Sequence, residues 1–243
     1  MSVLLLDTSC SSATLALIHE DGRLLAECTL SEMRRHAESL ADATDELFRQ
    51  VDLDFSSLSA IGVGAGPGSF VGVRVGLSTT KGWAMGAGVP LVGIEGLFAL
   101  AQAAPVDAKW VLSCIDARRG ELYCALYERV AVTTEGTAKL DEGVLVERQP
   151  AAARSPVDIV ALVGELPAVE QELVLVGSGL DLLDDVSAAK KMELQGPSGA
   201  MLSAAFFKAT EKGVVDTKKT LVPRYLRKPD AKRPVLRERP KGA

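Results

Sequence analysis

The residues best suited to chemistry lie in two short polar segments, each placed directly after an apolar run. Asp7-Thr8-Ser9 follows the apolar residues 3–6, and Gly64-Ala-Gly-Pro-Gly68 with Ser69 follows the apolar residues 60–63. A strand, a glycine-rich loop and a helix in this order present backbone N–H groups to an anion, and a carboxylate nearby could hold a metal ion. The same residue types also suit tight turns that bond only to their own backbone. Both interpretations stay open.

The glycine loop does not match either of the common nucleotide-binding patterns. Counted from Gly64, the sixth position of G-x-G-x-x-G is Ser69, and Lys81 follows Thr80 where a P-loop lysine follows glycine. The loop is therefore neither a Rossmann fingerprint nor a P-loop. Anion binding and close strand-to-helix packing remain as alternatives.

Other catalytic patterns are weak in this sequence. The segment Gly196-Pro-Ser-Gly199 begins like G-x-S-x-G, but Ala200 stands where the last glycine belongs. Cys10 with His19 or His36 has no spacing that favours a thiol–imidazole pair, and we expect His36 to be a surface or interface residue. Two histidines and four cysteines without a C-x-x-C pair argue against a zinc site. We expect these cysteines to be buried thiols in a reducing cytosol: Cys10, Cys28, Cys114 and Cys124.

Length and composition favour a globular, cytoplasmic protein. A chain of 243 residues with 47% hydrophobic residues can bury one large core or two smaller ones. The apolar run over residues 3–6 ends at Asp7 and is too short for a signal peptide. No apolar run in the sequence is long enough to span a membrane.

The charge is distributed unevenly along the chain. The net charge is −5, yet residues 224–241 hold eight basic and two acidic residues, so this tail carries +6 and the remainder −11. A basic tail of this kind is either a solvated end or a contact for nucleic acid, and the sequence leaves both open.

The elements that position the first two polar segments read as four strands and two helices. We predict strands at 3–6, 13–18 and 23–30, with Asp21-Gly22 as a hairpin turn, and a short strand at 60–63. A helix over 31–51 presents one face at spacings of three and four: Met33, Ala37, Leu40, Thr44, Leu47 and Val51. A second helix over 71–85 carries glycines that admit close neighbours: Gly72, Gly76, Gly82 and, just beyond it, Gly86.

The rest of the chain repeats this opening. We predict strands at 90–94, 109–115, 122–128 and 173–177, helices at 95–104, 155–164 and 198–212, and a polar loop over 133–142. A strand that ends in Asp116, a turn and a returning strand resemble the first hairpin. The chain therefore divides into an α/β half over 1–106, a smaller half over 107–221 and a basic tail over 222–243.

Four segments together resemble the TsaB family over nearly the whole chain. They are the opening Leu-Leu-Leu-Asp-Thr-Ser, the segment His36-Ala-Glu-Ser-Leu, the block from Gly66 to Gly76 with Lys81-Gly82, and Pro223-Arg-Tyr-Leu-Arg227. The Gly-Pro-Gly-Ser-Phe part is specific, whereas Asp-Thr-Ser alone is not. Val71 replaces the threonine that is usual in the family, which removes a hydroxyl from the anion-site interpretation.

The resemblance implies two actin-like (ASKHA, ribonuclease H-like) halves with mixed sheets and flanking helices. It also implies a non-catalytic subunit of the machinery that forms threonylcarbamoyladenosine next to the anticodon of tRNA. The catalytic paralogue TsaD has two metal-binding histidines, and Gly96 and Leu100 occupy those places here. Neither side chain binds a metal, so we expect no metal, no catalytic residue and no required cofactor.

The partners implied are TsaD in a heterodimer, a second copy when the chain is alone, the ATPase TsaE on the assembled pair, and tRNA indirectly. We expect no membrane contact. The predicted partner interface is formed by the two helices: Met33, His36, Ala37, Leu40, Thr44, Leu47, Gly72, Val75, Gly76 and Thr79.

Two alternatives remain. A nucleotide-binding regulator would bind ATP or ADP weakly, or only in the complex, between loops that sit where actin-like folds place phosphates: Asp7, Thr8, Ser9, Gly66, Gly68, Ser69, Gly177, Ser178 and Gly179. A glycoprotease-like peptidase would need a metal pair or a nucleophile with its base, which the sequence does not offer.

Overall fold

A computed structural model describes residues 1–31, 36–134, 137–167, 172–186, 190–211, 213 and 215–227. The first half contains a five-stranded mixed sheet in the order β3-β2-β1-β4-β5. Its strands are β1 Ser2–Asp7, β2 Ala13–His19, β3 Leu24–Leu30, β4 Leu58–Gly64 and β5 Leu91–Ile94. β1 pairs antiparallel with β2 and parallel with β4, so the polar ends of β1 and β4 lie at the same edge of the sheet.

The apolar character of β1 follows from burial on both of its faces. Leu4 and Leu6 pack toward α1 (His36–Gln50) and α2 (Phe70–Ala87), whereas Val3 and Leu5 pack toward α5 (Gly199–Thr210). A strand that is covered on both faces is continuously hydrophobic rather than alternating. The predicted Asp21-Gly22 turn is confirmed, since Gly22 has a φ of +90° and donates to the carbonyl of His19.

The second half repeats the same topology. Its sheet has the order β10-β9-β6-β7-β8, formed by β6 Trp110–Asp116, β7 Leu122–Thr134, β8 Thr137–Arg154, β9 Leu173–Gly177 and β10 Lys190–Glu193. β6 pairs antiparallel with β7 and parallel with β9, as β1 does with β2 and β4. The predicted fold of two actin-like halves with mixed sheets is confirmed.

Three differences from the sequence prediction concern element bounds. The polar loop predicted over 133–142 is wrong, because Thr133 pairs with Ala138 and the described residues there extend β7 and β8 as a hairpin. The polarity that suggested a loop is compatible with an antiparallel ribbon. β8 and β10 are strands that the sequence prediction lacks, and the described part of α1, His36–Gln50, lies within the helix predicted over 31–51.

One short helix links the halves, a second covers the second sheet, and the last helix returns to the first sheet. α3 (Gly96–Ala101) packs between the first sheet and β6, and α4 (Pro156–Gly164) covers the second sheet. α5 packs on β1, β2, β3 and β5, so it belongs structurally to the first half, although its residues fall within the predicted second domain. None of the helices in the described part of the chain is long and apolar enough to cross a membrane.

Candidate functional site

The turn after β1 is a buried polar cluster centred on the Asp7 carboxylate. Asp7 Oδ1 accepts hydrogen bonds from the backbone N–H of Ser9 at 2.8 Å and from Ser9 Oγ at 2.9 Å. Burial raises the pKa of Asp7 above its ordinary value, and the two bonds from Ser9 oppose that rise. The glycine at position 64 is required here, because a Cβ there would lie 1.8 Å from Asp7 Oδ2.

The glycine loop packs directly onto this turn. The Ser69 N–H donates to the carbonyl oxygen of Ser9 at 2.7 Å, and a Cβ on Gly68 would lie 2.2 Å from that same oxygen. The Ser69 hydroxyl also accepts from the N–H of Gly72 as the N-cap of α2. The two segments predicted as anion loops are therefore in contact and bond to each other. This arrangement is the close strand-to-helix packing that the sequence left open beside anion binding.

Gly72 and Gly76 face the chain's own β1 turn. Thr8 Oγ1 donates to the carbonyl of Gly72 at 2.7 Å, and Cβ atoms on Gly72 and Gly76 would lie 2.0 Å from Thr8 O and 2.4 Å from Thr8 Oγ1. The close approach predicted at these glycines is confirmed, but the neighbour is the β1 turn and not a partner helix. Their assignment to a partner interface is corrected accordingly, because both are buried inside the first half.

The inner face of α1 is also part of the core. Leu40 and Leu47 belong to the cluster that includes Leu4 and Leu17, and Thr44 is buried with its hydroxyl bonded to the carbonyl of Leu40. The prediction that these three residues lie at a partner surface is therefore wrong for this chain. Three further predicted interface residues cannot be placed: Met33 lies outside the described residues, as do the side chains of His36 and Ala37.

The outer face of α2 is open, in contrast to its inner face. No described atom lies within 4 Å of a Cβ built on Gly82 or Gly86, and Met85 between them is 74% exposed. Val75 and Thr79 are half-buried on α2 and stay predictions as partner contacts. The close neighbour expected at Gly82 and Gly86 is absent among the described residues. These two glycines therefore have no packing role that the described part of this chain explains.

A pocket of about 460 Å³ lies beside the open glycines. It is lined by Phe55 and Trp83, whose rings are 6.0 Å apart at an interplanar angle of 62°, and by Ser56, Gly82, Gly86 and Ala87. The sequence interpretation did not single out Phe55 or Trp83. Trp83 follows Gly82 on the predicted second helix and could have been noticed, whereas Phe55 lies between the predicted elements.

The second glycine turn repeats the arrangement of the first. The Ser178 N–H donates to the carbonyl of Cys114, Ser178 Oγ accepts from the N–H of Asp116, and the Gly179 N–H donates to Glu193. A Cβ on Gly177, whose φ is +121°, would lie 1.9 Å from Cys114 O. This turn is thus bonded to the end of β6, as the first glycine loop is bonded to the end of β1.

A C-terminal strap, residues 215–227, ties the two halves together. Thr217 donates to the carbonyl of Leu91 from both its N–H and its hydroxyl, which covers the edge strand β5 of the first sheet. Further along, the Arg224 N–H donates to Ala65 in the glycine loop, and the Arg227 guanidinium donates to the carbonyl of Ala117 in the second half. Residues 222–227, the described start of the predicted basic tail, are therefore docked on the two halves.

The remaining candidates for chemistry are unsuited to it. Gly96 opens α3, where a Cβ would meet Gly66 O and Ser9 Oγ at 3.6 Å, and Leu100 is 1% exposed within the second core cluster. Within the described ranges, no group of three or more His, Cys, Asp or Glu side chains is arranged to hold a metal ion. Burial raises the pKa of the Cys10 thiol, and the neighbouring Asp7 charge adds to this, so the thiol is held in its unreactive form.

Comparison with known structures defines the class of protein. The chain superposes on YeaZ from Pseudomonas aeruginosa with a TM-score of 0.69 and 28% identity, covering 93% of this chain and 99% of that one. A second Pseudomonas aeruginosa structure, described as an uncharacterized protein with similarity to peptidase YeaZ, gives a TM-score of 0.75 at 27% identity, again over 93% and 99%. The protein has an actin-like fold of the YeaZ type.

Comparison of sequences gives the family. The family model for TsaD, tRNA N6-adenosine threonylcarbamoyltransferase, matches residues 23–237. The Escherichia coli protein named tRNA threonylcarbamoyladenosine biosynthesis protein TsaB is 35% identical over 131 residues, which are 53% of this chain and 56% of that protein. An uncharacterized Mycobacterium tuberculosis protein is 30% identical over 236 residues, which are 95% of this chain and 94% of that protein. The chain therefore belongs to the TsaD family, and it is similar in sequence to the TsaB proteins over a little more than half of their length.

Proposed function

We propose that this protein is a non-catalytic subunit of the machinery that makes threonylcarbamoyladenosine on tRNA, and that it acts by binding a TsaD partner. The names of the TsaB relatives support the pathway, although the alignment spans only a little over half of the Escherichia coli protein. The TsaD family match supports descent from a common scaffold. The proposal assigns this chain the role of holding TsaD in its working form.

The loss of chemistry is supported by what fills the positions expected to be catalytic. The family resemblance places Gly96 and Leu100 where TsaD has its metal-binding histidines, and neither residue has a side chain that binds a metal. The Asp7 turn is covered by the chain's own Ser69 and Gly68 rather than left open to a substrate. Ser9, whose hydroxyl donates to Asp7, is only 1% exposed, so this pair offers a peptidase no accessible nucleophile.

The open glycines of α2 are the observation on which the partner proposal depends. Glycine in a helix interior costs about 0.5–1 kcal/mol relative to alanine, and Gly72 and Gly76 offset that cost by admitting the β1 turn. Gly82 and Gly86 have no such neighbour in the described chain. Small residues let a second helix approach closely, and exposed Met85 and the groove at Trp83 add apolar area that a partner can bury.

Assembly with TsaD through this face is tested by co-expressing the chain with the TsaD of its own organism and measuring the mass of the complex by light scattering. The double variant Gly82→Leu, Gly86→Leu should remain folded as a monomer and lose the heterodimer. Gly164→Leu is the matched control, because Gly164 is an exposed helical glycine in the second half with no described atom within 4 Å of its Cβ position. This interface assignment is refuted if the double variant forms the heterodimer to the same extent as the Gly164→Leu control.

The same face serves the other predicted assemblies. We propose that the chain alone forms a homodimer through the outer face of α2, and that TsaE binds only the TsaD-bound form. The Leu variants should then abolish the homodimer as well, and TsaE should co-elute with the pair but with neither subunit alone. Elution of TsaE with this chain in the absence of TsaD would contradict the proposed order.

Nucleotide binding is not required for this role. The Ser69 N–H, which would have to face a phosphate, is already bonded to Ser9 O, and the Gly179 N–H is bonded to Glu193. Calorimetry with ATP and with ADP, on the chain alone and on the complex, separates a scaffold from a nucleotide-binding regulator. Saturable binding that disappears in a Ser69→Pro variant would favour the regulator.

A further inference from the structure

An exposed cluster of two aromatic rings and an arginine lies where the strap crosses the start of α2. The Arg74 guanidinium carbon is 3.6 Å from the centroid of the Phe70 ring, and Arg74 Nε donates to Tyr225 Oη at 2.7 Å. The rings of Phe70 and Tyr225 are 5.3 Å apart and tilted by 32°. Phe70 is 54% exposed and Tyr225 49% exposed, so each ring keeps an outward surface. We call these three residues the aromatic platform.

An arginine turn lies next to the aromatic platform along the strap. Arg227, two residues after Tyr225, donates to the carbonyls of Ala117 and Arg118 and to the Glu121 carboxylate. Arg118 and Arg119 both have left-handed backbone conformations, with φ of +63° and +60°, which residues other than glycine rarely adopt. Both side chains are exposed on this turn, so the strained backbone displays two consecutive cations.

The charge of this surface favours a polyanion. Five arginines at positions 74, 118, 119, 224 and 227 face three acids, Glu95, Asp116 and Glu121, each of which is ion-paired with one of those arginines. The sequence then adds six basic and two acidic residues over 228–243, for a further +4. Residues 1–223 together are acidic, so the arginines beside the aromatic platform are an exception within that part of the chain.

We propose that the aromatic platform and the arginine turn bind single-stranded RNA. Unstacked bases lie on the outward surfaces of Phe70 and Tyr225, while the phosphate backbone runs toward Arg118 and Arg119. Aromatic and guanidinium planes that receive bases, next to cations that receive phosphates, are the combination by which proteins hold single strands. The inference rests on the proposed function for the identity of the RNA, which would be an unpaired loop of the tRNA substrate.

The platform is separate from the proposed partner face of α2. Phe70 and Gly82 are twelve residues apart on one helix, which places them about 18 Å apart along its axis. RNA binding and TsaD binding can therefore be removed independently by substitution at the two ends of α2.

The test measures binding of a fluorescent single-stranded RNA by anisotropy, with an RNA duplex of equal length as the competitor, on the chain alone and on its complex with TsaD. Phe70→Leu and Tyr225→Leu remove a stacking surface and should each weaken binding by about 5- to 100-fold. Phe70→Trp and Tyr225→Phe keep an aromatic ring and should stay within about twofold of wild type. The Tyr225→Phe variant also removes the bond to Arg74, so it separates base stacking from attachment of the strap.

The electrostatic part is tested by Arg118→Gly, Arg119→Gly. Glycine fits both left-handed positions, so the turn can keep its path while it loses two positive charges and the Arg118–Asp116 ion pair. The slope of log affinity against log salt should fall by about 0.7 for each phosphate that the variant no longer neutralises. Lys208→Gln on α5, which packs on the opposite face of the first sheet, is the control and should leave the slope unchanged.

Three outcomes would overturn the inference: equal affinity for duplex and single strand, equal binding by the Leu and aromatic variants, or loss of TsaD binding in place of RNA binding with Phe70→Leu. Circular dichroism of every variant shows that the fold is kept. Formation of the TsaD complex with no effect of the platform variants on RNA refutes this inference and leaves the proposed function intact. RNA binding that depends on the platform, without a TsaD complex, would support this inference and refute the proposed function.

Discussion

Alanine at Gly72 and alanine at Gly82 should have opposite effects on stability, although both replace a glycine in the same helix. At Gly82 the new methyl group meets no described atom within 4 Å, so the variant gains about 1 kcal/mol of helix propensity. At Gly72 the methyl carbon would lie 2.0 Å from the backbone oxygen of Thr8, so α2 must move by about 1 Å or more. That movement breaks the buried bond from Thr8 Oγ1 to Gly72 O.

The magnitude for Gly72→Ala follows from these contributions. Overpacking costs about 1–3 kcal/mol, and a buried hydroxyl left without its acceptor costs about 1–3 kcal/mol. Helix propensity returns about 1 kcal/mol, so the net loss of unfolding free energy is about 1–5 kcal/mol. Urea titration followed by circular dichroism measures both variants. Dilution series show whether dimer formation contributes to either value, since binding stabilises the folded state by mass action.

Equal stability of the two alanine variants, or greater stability of Gly72→Ala, would refute this assignment of the glycines. The assay also decides between the two roles that one glycine spacing can have. Replacing a glycine that admits the β1 turn must destabilise the isolated chain, whereas replacing a glycine reserved for a partner must not.

Three further results are expected. Burial raises the pKa of Asp7 in the folded protein above its ordinary value of 3.8. Between the ordinary and the raised pKa the folded state binds more protons than the unfolded state, so stability falls as the pH rises through that window. Asp7→Asn should show a flatter curve of unfolding free energy against pH than wild type. Arg227→Met should lower the unfolding free energy by about 1–2 kcal/mol and speed amide hydrogen exchange over 117–121, because the strap loses its bonds to the second half. Half-buried Cys28 should react with a thiol reagent in the native protein long before Cys10 and Cys114, whose pKa values burial raises, and mass spectrometry after digestion identifies the order.

Much of the fold was predictable because local patterns dictated it. The continuous apolar run before Asp7, the Asp21-Gly22 turn and the capped start of α5 at Ser198 each determine an element without help from distant residues. The repeated strand–turn opening at Asp116 likewise indicated two related halves. The outer part of the β7–β8 ribbon was missed, because its polar sequence forms strands only when the two segments pair with each other.

The candidate site was less predictable, because hydrophobic and glycine periodicity does not say which neighbour approaches. The face of α1 that contains Leu40 and Leu47 has the spacing of a core stripe and of an interface alike, and the structure places it in the core. Gly72 and Gly82 look equivalent in sequence, yet only the position of Thr8 distinguishes them. The strap depends on bonds between residues more than a hundred positions apart, such as that of Arg227 with Ala117 at a separation of 110.

The strap also affects the order in which the protein folds during its synthesis on the ribosome. Chains emerge from the amino end, and each domain folds as its residues appear. The edge of β5 is covered by Thr217, which follows Leu91 by 126 positions, so the strands of the first sheet are all synthesised long before that edge is covered. Until then the backbone N–H and carbonyl groups of Leu91 are available to any passing strand. A ribosome that stalls before residue 215 therefore leaves a chain whose first sheet still has an unpaired edge at β5. Translation of the strap covers that edge and ends the risk that another strand pairs with it.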